Sequence, residues 1–218
     1  MSRLLVLGFT ISVDGYGAGP RQSLDQPLGV GGENLHRWLV NTPTFKKMFS
    51  KGPIPPAEDE IDEEFAANSM AGMGAWIMGR NMFSPSRGPW PDDSWRGWWG
   101  PNPPYHVPTF VLTNYKRDPI EMEGGTVFHF VTDGIEGALE RARDVAGTKD
   151  IRVGGGAETI REYLKARLID EMHLAISPIL LGSGEHLLEN IDLPALGYAC
   201  NRSVASSRAT HYIISKTR

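Results

Sequence analysis

Three short stretches carry residue types that can hold a phosphate. In VGGGAETI, residues 153–160, an apolar strand pattern runs into Gly154, Gly155 and Gly156 and then into a helix pattern. Glycines let a backbone approach a pyrophosphate closely, and the free amides and positive dipole of a helix start favour negative charge. Ala157, Glu158 and Thr159 would supply those amides. The stretch lacks the third glycine of G-x-G-x-x-G, so a tight strand-to-helix turn is the plain alternative. The second stretch is Gly79, Arg80, Asn81, directly after the apolar AWIM. It puts a guanidinium at the carboxyl end of a strand, where open α/β sheets bind ligands, although a surface arginine would look the same. The third is Thr113 and Asn114 after TFVL, a hydroxyl and an amide that equally suit an ordinary strand end. Taken together the three describe a dinucleotide site. The arginine biases it towards a 2'-phosphate, because guanidinium pairs with phosphate in a bidentate way.

A nicotinamide in such a site would deliver hydride, and hydride transfer to C=N or C=O must be matched by a proton. Asp14 follows the first apolar run in a glycine-rich turn and is the leading candidate for the acid, with Asp-Gly turn chemistry as the alternative. His106, in PPYHVPTF, could donate near neutral pH or simply orient its loop. The other histidines show no ligand spacing such as H-E-x-x-H, and no metal is expected.

The elements that must position these groups follow from apolar patterning. Residues 3–13 (RLLVLGFTISV) read as a strand covered on both faces, and 14–56 mostly as Gly- and Pro-rich loop around a short apolar segment at 35–40. Residues 58–73 read as a helix with acidic first turns and a face made of Ile61, Phe65, Ser69 and Gly72. Strands are expected at 75–78, 109–113, 126–131, 151–153 and 171–177, with two more near 202–206 and 210–215. A helix carrying Ile135, Ala138, Leu139, Ala142 and Val145 opens with Asp133 and Glu136 in a capping-box arrangement, and another spans 157–166. Strand-helix alternation predicts an α/β fold with a mostly parallel central sheet, an antiparallel C-terminal edge and flanking helices. Residues 83–108 stand apart, with Trp90, Trp95, Trp98, Trp99 and seven prolines. So aromatic a segment is expected to be an ordered lid or a subunit contact, its rings lining a cleft for a flat ligand or simply packing.

Bulk properties narrow the class. The 218 residues suit one domain, 1–218, and 40% hydrophobic with 22% charged residues suits a globular chain without membrane spans. The N-terminal apolar run breaks too soon for a signal peptide, and Cys200 is the only cysteine, so a reducing, cytoplasmic setting is expected. A net charge of -4 with scattered basic residues gives no footprint for nucleic acid.

TISVDGYGA, AWIMGRNMF, FVLTN, RVGGGAETIREYL and LIDEMHLAISPILLGSGEHLL together resemble the dihydrofolate reductase-like superfamily over nearly the whole chain. Within it the sequence is most similar to the reductase domain of the bifunctional riboflavin-biosynthesis deaminase-reductase and its stand-alone relatives. The resemblance implies a cytoplasmic homodimeric reductase that uses NADPH without flavin on a pterin-like or ribosylaminouracil-phosphate-like substrate. It places Gly79, Arg80, Asn81 and Thr113 around the adenosine 2'-phosphate and residues 154–159 at the pyrophosphate, with Val13 and Asp14 beside the nicotinamide. Glu63 and Glu64 fall on the helix that in folate reductases carries the pteridine-binding carboxylate, which makes Glu64 a further catalytic candidate, or else part of a solvated face. The tryptophan-rich insert departs from both enzymes, and no deaminase zinc motif is present. A nucleotide- or ligand-binding protein that keeps the fold without turnover is the rival expectation.

Overall fold

The computed structural model describes residues 2–50 and 52–217. Its nine strands are β1 (Leu4–Ser12), β2 (Met73–Gly79), β3 (Pro108–Leu112), β4 (Ile120–Glu121), β5 (Val127–Val131), β6 (Asp150–Gly155), β7 (Glu171–Ser177), β8 (Tyr198–Ala205) and β9 (Thr210–Lys216). The helices are α1 (Arg37–Val40), α2 (Pro43–Phe49), α3 (Glu60–Met70), α4 (Arg80–Phe83), α5 (Gly134–Ala146) and α6 (Ala157–Lys165), with 3-10 turns at Gly32–His36 and Glu123–Gly125. The strands follow the order β4-β5-β3-β2-β6-β1-β7-β9-β8 in one sheet. The β1, β2, β3, β5 and β6 pairings are parallel, and β4 and the β7-β9-β8 group run antiparallel, so both sheet ends are antiparallel, not the C-terminal one alone.

The chain divides into two compact units. The first comprises residues 1–5 and 72–168. Its strands β2, β3 and β6 are rich in apolar residues because both faces are covered, and Ala75, Ile77, Met78, Phe110, Val111, Ile151 and Val153 are buried, with Arg152 the charged exception in β6. Helix α5 lays Ala138, Leu139 and Ala142 on them, while Val145, expected on that face, is exposed. Gly74 allows the approach: a Cβ there would stand 2.8 Å from the backbone of Ala146. Burying each such Leu or Ile contributes roughly 1.5–3 kcal/mol. The predicted capping box does not form. Asp133 has φ −108° and ψ 25°, no cap bond, and gives both carboxylate oxygens to Arg141 at 2.8 Å.

The tryptophan-rich segment between α4 and β3 is free of helix and strand, yet its indoles are tied down within this unit. Trp90 Nε1 donates to the Tyr115 carbonyl at 3.0 Å, Trp95 Nε1 to the Phe83 carbonyl at 2.8 Å, and Trp99 Nε1 to Tyr105 Oη at 3.0 Å. Each such bond contributes about 0.5–1.5 kcal/mol net, and together they fix how the segment packs.

The second unit comprises residues 6–71 and 169–218. Residues 14–56, expected to be mostly loop, contain α1 and α2. Thr42 N-caps α2 by accepting from Phe45 N, Pro43 occupies the first turn, and Glu63 accepts from the Thr44 amide and hydroxyl at 3.0 and 2.7 Å. A short helix capped from a distant carboxylate carries little periodic signal. On α3, N-capped by Asp59, Phe65 and Ser69 of the expected face are buried and Ile61 packs half-buried on the same core, while Gly72 lies exposed past the helix end and Asp62 and Ala66 complete the face. The face widens to take in Asp62 because that carboxylate finds a partner inside, His211. Strand β8 begins at Tyr198, four positions before the expected Arg202, and a register shift between Cys200 and Arg202 breaks its alternation. Among the described residues no helix is long and apolar enough to cross a membrane, and no cluster of His, Cys, Asp and Glu could hold a metal.

Candidate binding site at the strand ends of the first unit

The three phosphate-type stretches come together within the first unit. Strands β2, β3 and β6 are neighbours, with Met78 opposite Gly155 and Gly79 opposite Leu112, so their carboxyl ends lie side by side. Gly79 sits against the start of α6: a Cβ there would collide with the Thr159 hydroxyl and stand 3.6 Å from Gly156 N. A side chain at position 79 would force the Thr159 hydroxyl to move.

The glycine triplet divides its labour. A Cβ on Gly154 would lie 3.1 Å from the Met82 methyl and 3.4 Å from Trp76, so this glycine serves internal packing. Gly155 takes φ +128°, a conformation that side-chain-bearing residues rarely adopt, and the Gly155-Gly156 peptide is cis. Around Gly156 a Cβ would meet nothing within 4 Å. Gly156 is also the N-cap of α6 and supplies no side-chain acceptor, and Ile160 N is bonded to the Gly156 carbonyl at 3.1 Å. The amides of Ala157, Glu158 and Thr159 therefore belong to a helix start with no side-chain cap, beside open space, where the dipole favours an anion.

Arg80 opens α4 and reaches Thr113: Nη1 donates to Thr113 Oγ1 at 3.3 Å and to the Gly88 carbonyl at 3.1 Å, and Nη2 to Ser86 Oγ at 3.1 Å. Its Nε is buried and has no hydrogen-bond partner. The Trp90 ring lies 3.2 Å from the guanidinium carbon, and the Arg117 guanidinium lies 4.9 Å from the same ring. Burial, then the neighbouring charges of Arg117 and Arg87, pull the Arg80 pKa down, although a guanidinium stays charged at any ordinary pH. The Arg117 side chain is only 3% exposed, it pairs with the 92% exposed Asp93 at 3.4 Å, and its Nη1 is also buried without a partner. Two guanidiniums crowd one indole. The two positive charges gathered on one indole favour an anion beside them, so the residues present fit a phosphomonoester. Asn81 lies on α4 next to Arg80, half-buried, within the same strand-end group.

Arg117, Trp90 and Ser86 were not singled out by the sequence. Arg117 is one basic residue in the loop YKRDP, with no spacing to mark it, and Trp90 was legible only as part of an aromatic segment.

The candidate proton donors are engaged elsewhere. Asp14, in the second unit, accepts from Ser12 Oγ at 2.5 Å, Leu181 N at 3.1 Å and Gly182 N at 2.7 Å. Burial raises its pKa, but these donors together outweigh burial and leave it below the usual carboxylate range. Glu64, also in the second unit, pairs with Arg202 at 3.2 Å. His106, in the first unit, has φ +54°, and its Nδ1 lies 3.0 Å from the Gly124 carbonyl. Val13, 62% exposed, donates its amide to the Ile179 carbonyl at 2.9 Å.

The sheet order and the flanking helices define an α/β protein with a mostly parallel central sheet and antiparallel edge strands. The chain belongs to the RibD C-terminal domain family, whose model matches residues 3–212. Among solved structures it is similar to a protein from Shewanella sp. PV-4 assigned to riboflavin biosynthesis, at TM-score 0.57 and 24% identity over 100% of both chains. Another similar structure is the dihydrofolate reductase of Enterococcus faecalis complexed with NADP(H) and RAB-propyl, at TM-score 0.48 and 17% identity, covering 73% of this chain and 83% of that one. No curated protein matches the chain.

Proposed function

We propose that the chain is an NADPH-dependent reductase of a small heterocyclic substrate, of the pterin or ribosylaminouracil-phosphate type, within riboflavin-type chemistry. The observation that carries this reading is the pair of orphan guanidinium groups, Arg80 Nε and Arg117 Nη1, beside strand ends that also hold the open Gly156 turn. Arg80, Arg117 and Thr113 would hold the 2'-phosphate, with Gly79 and Asn81 shaping that end. Residues 154–159 would hold the pyrophosphate on the amides of α6. Bound NADPH supplies a hydride, and the reduced C=N or C=O takes one proton from the protein or from water. Membership of the RibD C-terminal family and the resemblance of the sequence support the same reading.

Val13, Asp14, Glu64 and His106 are proposals of a different kind, resting on the resemblance and on chemistry. Asp14 as found accepts three hydrogen bonds, which suits an anion that positions residues 181–182 better than a proton donor. Asp14→Asn separates the roles. A positioning anion predicts a raised KM with a modest fall in kcat, and an acid predicts a collapse of kcat with KM held.

The test of the reading is NADPH oxidation followed at steady state with dihydropterins, dihydrofolate and ribosylaminouracil phosphates. Turnover with one of them supports it; no oxidation above background with any would remove the riboflavin- or folate-type substrate. A binding protein without turnover is the second reading. One observation favours it: Asp14, Glu64 and His106 each spend polar atoms on internal partners.

A further inference from the structure

The second unit contains a buried polar chain that the reductase reading does not use. Gly8 N in β1 donates to His173 Nδ1 on β7 at 3.0 Å. His173 Nε2 lies 3.0 Å from His211 Nδ1 on β9, and His211 Nε2 lies 2.9 Å from Asp62 Oδ1 on α3. His173 is 2% exposed, His211 0% and Asp62 2%. Phe65 stacks on both imidazoles at 4.3 Å, with interplanar angles of 17° and 9°, and Trp38 meets both edge-on.

One end of this chain fixes the protons along all of it. A backbone amide can only donate, so His173 Nδ1 is bare, and a neutral His173 carries its proton on Nε2. That proton points at His211 Nδ1, which must then accept, so His211 carries its own proton on Nε2 and donates to Asp62. The chain reads amide, neutral imidazole, neutral imidazole, carboxylate, with every donor facing an acceptor. A further proton on either ring sets N–H against N–H, at Gly8 or between the two rings. Asp62 Oδ2, buried and without a hydrogen-bond partner, is the other place where a proton could enter.

Several of the other charges around the chain are already paired. Arg202 of β8 stands 5.3 Å from the Phe65 ring and pairs with Glu64 of α3. Glu63 of α3 is held by Thr44, and on the Trp38 side the indole N–H donates to Thr10 Oγ1 of β1 at 2.9 Å. On β7 and β9 the remaining ionisable side chains are Glu171, two residues from His173, and Tyr212 and Lys216; Lys216 pairs with Asp170. None of these ion pairs includes Asp62.

We propose that Asp62, His211 and His173 are positioning residues forming an acid-sensitive latch on β1. The Gly8 amide and the Asp62 carboxylate, at the two ends, demand the same pair of tautomers; in that state His173 holds the left-handed bend at Gly8, where φ is +66°, and proton uptake by the histidine pair releases it. The inference holds whether or not the chain is a reductase.

The test is long-range ¹H–¹⁵N NMR of the uniformly labelled full chain. Both rings are expected as Nε2–H tautomers, with a scalar coupling through the hydrogen bond between His173 Nε2 and His211 Nδ1. On stepwise acidification that coupling should vanish as the ring pair protonates, and the Gly8 amide should shift in step, before the amides of Ala175 and Ile214 report unfolding. His173→Gln, whose carbonyl can accept from Gly8 but takes up no proton, should make the Gly8 amide insensitive to the same acidification. An Nδ1–H tautomer at His173 in the wild-type chain would overturn the proposal without any variant. So would unfolding of the unit with the Gly8 amide unmoved until then, or an acid response of Gly8 that survives His173→Gln.

Discussion

The Arg80 guanidinium and the Trp90 indole are stacked, 3.2 Å from cation carbon to ring centroid, so a residue of the irregular segment forms one wall of the proposed phosphate subsite. Removing the ring removes a cation–π contact of about 0.5–2 kcal/mol and the indole bond to the Tyr115 carbonyl. Trp90→Leu should therefore lower the urea-derived stability by about 1–3 kcal/mol. Its effect on NADPH affinity should exceed its effect on NADH affinity, because Arg80 loses the surface that aligns it. Equal losses for the two cofactors would disconnect Trp90 from the phosphate.

Arg117 should behave as a second phosphate ligand. Its buried Nη1 has no partner, and a charge-assisted bond from a guanidinium to phosphate contributes about 1.5–3 kcal/mol, roughly ten- to hundredfold in Kd. Arg117→Gln is expected to weaken 2'-AMP by that factor and leave 5'-AMP unchanged in a competition titration.

The two glycines at the turn should separate folding from binding. Gly156→Ala adds a methyl to open space at φ −67°, so stability should change by less than about 1 kcal/mol while NADPH affinity falls. Gly79→Ala drives a methyl into the Thr159 hydroxyl and should lower the melting temperature as well as binding. Calorimetry of the two variants with and without NADPH checks both expectations.

Burial pulls the His36 pKa down to about 4 from an unfolded value near 6.5. The ring is half-buried overall, but its Nδ1 is enclosed and has no partner. The folded state then binds fewer protons than the unfolded chain between these values. The contribution is whole above about pH 6.5 and is lost as pH falls towards 4. His36→Gln should flatten part of the decline in urea midpoint across that window, and an unchanged slope would count against the assignment.

The strands and long helices were legible because buried parallel strands read as short runs rich in apolar residues, and α5 and α6 repeat their apolar residues at helical spacing. Arg80, Thr113 and the glycine triplet were legible for a related reason, since each directly follows such a run. What local pattern does not encode was missed. Helix α2 depends on Glu63, nineteen residues away, and the inward face of α3 depends on His211. The capping box at Asp133 was lost to a competing partner eight positions on, Arg141. Arg117 gains its meaning only from the ring it meets, which the chain supplies 27 positions earlier.

Recognition of the 2'-phosphate of NADPH by Arg80 and its neighbours can be put to a single titration. The wild-type chain and Arg80→Ala are each titrated with NADPH and NADH, following quenching of tryptophan fluorescence. NADPH-selective quenching is expected in the wild type, with that selectivity lost and NADH binding retained in Arg80→Ala. Equal affinity of the wild type for the two cofactors, or no quenching by either, would contradict the assignment of Arg80 to the phosphate.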